Sequence, residues 1–108
     1  MITPLAGWHA FVGSGDPAAL AALLAPECVF HSPVVFTPQR GAGITLRYLE
    51  AARDVLVARD FRCLREIVGE REAVLGFTAR DGDTEINGVD LITWDEAGRI
   101  VDFKVMVR

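Results

Sequence analysis

The apolar positions change period near residue 60. Before it, Leu5, Trp8 and Val12 recur at three- and four-residue spacing and give a first helix one apolar face. Gly13 and Gly15 stop that helix. Asp16 is then a good N-cap, and Pro17 falls at the first helical position, where its missing N–H costs nothing. The alanine-rich run predicts a second helix to about Ala25, ended by Pro26. Residues 27–33 (ECVFHSP) read as a short strand and residues 34–43 as an irregular loop carrying Pro38, Gly41 and Gly43. A third helix is expected over residues 44–58. Ile44, Tyr48, Ala51, Ala52 and Val55 share its apolar face, with Arg47, Glu50, Arg53 and Asp54 mostly elsewhere.

After residue 60 the alternation becomes two-fold. Residues 61–70, 71–80, 84–95 and 99–108 read as four strands, with glycine-bearing turns at ARDGDT and DEAGR. In the last strand Val101, Phe103, Val105 and Val107 face one way, and Asp102, Lys104 and Arg108 the other. Helices followed by an antiparallel meander define an α+β domain, with helices packed on one face of a curved sheet.

Composition narrows the picture. A chain of 108 residues is expected to form one domain, residues 1–108, with a real core. Its 51 % hydrophobic content is rich for that size, and the surplus points to a ligand cavity or an oligomer interface. A net charge of −4 with no basic stripe argues against nucleic-acid binding. No run is long and apolar enough to span a bilayer, and the first residues lack the pattern of a secretory signal, so a cytoplasmic protein without membrane association is expected. Cys28 and Cys63 are expected as buried free thiols rather than a disulfide. No clustered His/Cys/Asp set suggests a metal.

The candidate chemistry centres on Asp90. Counting by two places Ile86, Gly88, Ile92 and Trp94 on its face of the strand. A carboxyl among such neighbours loses solvation, its pKa rises, and the neutral acid can donate a hydrogen bond to a developing oxyanion. The competing reading is a partly exposed face, or an arginine partner. Trp8 offers one indole N–H, or serves only as a packing aromatic. Tyr48 carries a phenol that finds a partner when buried, and His9 belongs near the surface. His31 alternates with Val29 on one side of its strand, with Phe30 and Ser32 on the other. His31 is a candidate proton shuttle or a satisfied structural residue. No nucleophile-elbow pattern surrounds Ser32.

The segments WHAFVGSGDPAAL, VFHSP, RGAGITLRYL and VDLITWDEAGRIVDFKVMVR, in that order and spacing, resemble the nuclear transport factor 2-like superfamily, in particular SnoaL-like and ketosteroid-isomerase-like proteins. The resemblance covers essentially the whole chain. It implies a cystatin-like cone of three N-terminal helices on a strongly curved, mainly antiparallel sheet, a deep apolar pocket, and a homodimer formed through the outer sheet face. It also implies that Trp8 stands where the ketosteroid isomerases carry an oxyanion tyrosine. Asp90 stands at their oxyanion aspartic acid, and Ser32 at their general-base aspartate. That enzyme is the standard example of an aspartic acid held neutral by its surroundings. A serine cannot carry a proton between carbons, so ordinary ketosteroid isomerisation is in doubt. His31 would replace the base if the strand twists at Pro33. The same resemblance implies a pocket lined by Leu75, Phe77, Phe103, Val105 and Val107. The expected function is binding of an apolar small molecule, with cofactor-independent isomerisation, cyclisation or dehydration of a carbonyl or hydroxyl compound. The alternatives are a non-catalytic ligand-binding or dimerisation module of the same fold, and a hydrolase that positions water, which a single inward carboxylate disfavours.

Overall fold

The computed structural model describes residues 3–34 and 37–107; residues 35 and 36 of the expected loop, and Arg108 of the expected last strand, lie outside them. The first helix, α1 (Leu5–Ser14), buries Leu5, Trp8 and Phe11. Gly15 closes it in the left-handed conformation at φ 72°, its N–H donating to the Phe11 carbonyl at 2.7 Å. Asp16 then caps α2 (Pro17–Ala21), accepting from the Ala18 N–H at 3.0 Å.

α2 is shorter than its composition suggests. It ends at Ala21, and the chain enters β1 (Leu24–His31) before Pro26, so that proline does not terminate the helix. Pro26 instead lies exposed where the β1 register shifts between Leu24 and Val29, a place in a strand that requires no N–H. The expected loop contains a two-residue strand, β2 (Gln39–Arg40), paired antiparallel with β1. The remaining elements are α3 (Ala42–Val57), β3 (Arg62–Val68), β4 (Glu72–Asp81), β5 (Thr84–Trp94) and β6 (Ile100–Val107).

The six strands form one sheet in the order β2-β1-β6-β5-β4-β3, antiparallel except where β1 runs parallel to β6. The register sets side chains in rows across the inner face. Ala73, Ile92 and Phe103 form one row, Leu75, Asp90 and Val105 the next, and Phe77, Gly88 and Val107 the third. The first row is covered: Ile92 and Phe103 are fully buried, and Trp8 packs against Phe103 in a tilted arrangement with centroids 4.9 Å apart. Gly88 has a packing reason, since a Cβ there would run into the Phe77 ring and approach the Met106 carbonyl to 3.0 Å.

α3 is turned relative to the expected face. Its buried residues are Thr45 and Leu49, whereas Ile44 and Val55 are exposed. Thr45 is tolerated inside because its hydroxyl donates to the Gly41 carbonyl at 2.8 Å. Of the two free cysteines, Cys28 is buried as expected and Cys63 is exposed, on the edge strand β3. No helix among the described residues is long and apolar enough to cross a membrane.

Candidate functional site

A cavity of about 40 Å³ lies between α1, α3 and the inner face of the sheet. Trp8 and Val12 contribute from α1, Leu49, Ala52, Arg53 and Leu56 from α3, and Asp90, Phe103 and Val105 from the sheet. The lining residues differ in exposure. Trp8, Leu49, Asp90 and Phe103 are buried, whereas Arg53 and Leu56 are half-buried and Val57 is exposed.

Asp90 is the one carboxylate residue among the described lining of this cavity. Strand alternation carries it inward, between Leu75 of β4 and Val105 of β6. It is 7 % exposed, and among the described residues it has no hydrogen-bond donor or ion-pair partner. Burial alone, removing water from the charged form, pushes its pKa up to about 7. At neutral pH an appreciable share of the molecules therefore carries a neutral carboxyl with an O–H to give. Among the described residues no arginine pairs with it.

Trp8 shares this cavity with Asp90, packed by Phe11 and Phe103. Ser32, Tyr48, Phe77 and Val107 line a second, wider cavity of about 330 Å³ instead. The two cavities have Ala52, Leu56 and Val105 in common, so these side chains form the partition between them. Tyr48 stacks on Phe30 at 5.2 Å. Ser32 accepts from the Val34 N–H at 3.2 Å. Leu75 is packed into the core and borders neither cavity.

His31 is on the other side of the sheet. Phe30 takes the inward position, and His31 Nε2 lies 2.8 Å from a carboxylate oxygen of Asp102 on the neighbouring strand. The strand does not turn it inward before Pro33, so from this position it cannot relay a proton to a ligand beside Asp90. His9 is at the surface as expected, 2.7 Å from Glu66 of β3.

Arg53 is the site residue that the apolar pattern of α3 did not reveal. Its Nε donates to the Val12 carbonyl at 3.0 Å and Nη2 to the Gly13 carbonyl at 3.5 Å. These are carbonyls of the last turn of α1, where helix geometry leaves acceptors open and the dipole favours a cation. Spacing from Leu49 to Leu56 through Arg53 would have placed it on the packing face. Among the described residues no group of His, Cys, Asp and Glu side chains has the arrangement to hold a metal.

Three helices on one six-stranded, mostly antiparallel sheet, with a buried carboxyl among the lining of a cavity beneath the helices, are the features to set beside known proteins. The sequence pattern of the SnoaL-like domain matches residues 5–103, and the chain belongs to this family, within the nuclear transport factor 2-like superfamily. It is 40 % identical to a steroid delta-isomerase from Pseudomonas aeruginosa of known structure, covering 96 % of this chain and 76 % of that one with a TM-score of 0.89. A protein from Silicibacter pomeroyi described as having a cystatin-like fold is 30 % identical over 100 % of this chain and 75 % of that one, with a TM-score of 0.88. The steroid Delta-isomerase of Nocardioides simplex is 27 % identical over 95 residues, 86 % of this chain and 77 % of its own length.

Proposed function

We propose that this chain binds an apolar small molecule beneath its helices and that Asp90, as the neutral acid, donates a hydrogen bond to a carbonyl or hydroxyl oxygen of it. The observation that carries this reading is the buried carboxyl of Asp90, unpaired among the described residues and facing an otherwise apolar cavity. As an ionised group it would be costly there; as an acid it lacks only an acceptor. The Trp8 indole on the same cavity orients the bound molecule. A ligand larger than a water molecule or two must displace the partition at Leu56 and Val105, which joins the Asp90 end to the wider cavity.

The activity we propose is cofactor-independent isomerisation of the kind for which the relatives are named, or a related cyclisation or dehydration. In such an isomerisation a proton leaves the carbon next to the carbonyl, charge collects on the oxygen, and a proton returns further along the chain. A hydrogen bond that strengthens as the oxyanion forms lowers that barrier. A second reading, a binding module without turnover, is favoured by one observation. Among the described residues lining the Asp90 cavity there is no second carboxylate and no imidazole to carry the proton.

The experiment is a carboxyl NMR titration of Asp90 alongside turnover of a β,γ-unsaturated ketone followed by the absorbance of its conjugated product. A titration near neutrality, with turnover lost in Asp90→Asn, supports the enzyme. The same titration with ketone binding and no turnover supports the module. A titration in the ordinary carboxylate range removes the acid role altogether.

A further inference from the structure

We infer that the last two turns of α3, residues 50–57, form a roof over both cavities that lifts to admit the ligand, and that Arg53 is the latch holding it against α1. This deepens the reading above and rests on it. The roof is the lightly packed half of its helix. Thr45 and Leu49 are buried, but past Leu49 no residue of α3 is. Yet residues 51–53 and 55–57 all border a cavity, and Ala52 and Leu56 border both. Of the segment's own side chains, lifting brings out only ones already partly in water, a condition for local opening well short of global unfolding. The other helix over the Asp90 cavity is a poorer door. Moving α1 would carry Trp8 and Phe11, both buried aromatics, into water.

The segment runs between two fixed points. Leu49 belongs to the core at one end. At the other end Arg59 is tied three ways. Its carbonyl accepts from the Arg80 N–H at 2.6 Å, its Nη1 donates to the Val55 carbonyl at 2.8 Å, and its Nε lies 3.1 Å from an Asp81 carboxylate oxygen. Two of those ties run to the end of β4, so the chain beyond the roof stays on the sheet while the roof moves. Between the two points, among the described residues, the side-chain hydrogen bonds to another element are those of Arg53, to the Val12 carbonyl at 3.0 Å and the Gly13 carbonyl at 3.5 Å. The guanidinium thus caps α1 and tethers α3 in one contact. Gly15 leaves space for it, since a Cβ there would come within 2.7 Å of Nη1. The bond to Gly13 is exposed and that to Val12 part-buried, so water can take the place of the guanidinium when the roof lifts. The latch therefore releases without stranding a polar group.

The test joins amide hydrogen exchange by NMR to the binding kinetics of 2-naphthol, an apolar probe with one hydroxyl, followed by stopped-flow fluorescence. In wild type without ligand, the amides of residues 53–57 should exchange about 100-fold faster than those of Leu49 and Ile92, after correction for intrinsic rates. Bound 2-naphthol should slow the first group and leave the second unchanged. Arg53→Met keeps an apolar stem and loses the latch. Exchange at residues 54–57 should then rise by about 10-fold, the range for hydrogen bonds made by a charged group. Association and dissociation of 2-naphthol should rise by the same factor. Kd should stay within about two-fold of wild type, because the latch favours the closed roof equally with and without ligand. Arg53→Lys, with one ammonium in place of the fork, should fall between. Protection of residues 53–57 equal to that of Leu49 in wild type overturns the inference, whatever the variants do. Ligand rates that stay fixed while exchange rises in Arg53→Met also overturn it, since the loosened helix end is then no entrance. Failure of 2-naphthol to bind wild type at all overturns the reading of the Asp90 site, and this inference with it.

Discussion

Replacing Asp90 by asparagine should make the protein more stable at neutral pH, and the gain should vanish in acid. The carboxyl is buried and has no compensating partner among the described residues, so folding raises its pKa from 3.8 to about 7. Below 3.8 it is neutral in both the folded and unfolded chain and costs nothing. Between the two values the unfolded chain releases the proton while the folded chain keeps it. Stability then falls as pH rises, by about 1.4 kcal/mol per pH unit. The loss is complete once pH passes the folded value. From 3.8 to about 7 it amounts to roughly 4 kcal/mol, a large share of the ~5–15 kcal/mol that holds a domain of this size together. Asparagine is nearly isosteric and never ionises, so it removes the slope while keeping the volume.

The assay is urea denaturation of wild type and Asp90→Asn side by side across that pH range. Other titrating groups are common to both proteins and cancel in the difference. The difference should grow in favour of the variant by about 3 kcal/mol from pH ~4.5 to pH ~7.5, then stay level. Two curves that remain parallel throughout would refute the argument, because they would show Asp90 titrating alike in the folded and unfolded chain.

Further consequences concern the surroundings of that carboxyl. His31→Gln should cost less than ~1 kcal/mol by urea midpoint and leave ligand affinity untouched, since the His31–Asp102 pair is partly exposed on the outer face. Gly88→Ala should lose about 1–3 kcal/mol, measured by thermal melting, because the new methyl collides with Phe77 and the Met106 carbonyl. Leu56→Ala removes part of the partition between the two cavities and should tighten 2-naphthol binding while costing no more than ~2 kcal/mol, as the side chain is only half-buried. Weaker naphthol binding in that variant would mean that Leu56 is a wall of the site rather than its gate.

The strands of this protein are easier to read than its helices, for a geometric reason. A period of two is exact, so one buried neighbour fixes every other side chain in the strand. Ile92 and Trp94 therefore place Asp90 inward, and Phe30 places His31 outward, without knowledge of the partner strands. A helical face drifts, and a small shift in the assumed register turns it. On α3 the Ile44, Tyr48 and Val55 stripe is apolar, but Tyr48 and Val55 border the wider cavity, and Ile44 and Val55 are exposed. The packing stripe passes through Thr45, Leu49 and Arg53, two of which hydrophobicity alone sorts to the solvent side. Both are admitted because backbone carbonyls satisfy them, Gly41 for Thr45 and Val12 for Arg53. Those carbonyls lie at the first turn of α3 and the last turn of α1, and the second of them is known only once the two helices are packed. The polar half of the candidate site follows the same division. Asp90 belongs to a strand and can be found by counting, whereas Arg53 enters the site only through a tertiary hydrogen bond. The place of the carboxyl is thus inscribed in local sequence, whereas that of the Arg53 guanidinium depends on the packing of α3 against the last turn of α1.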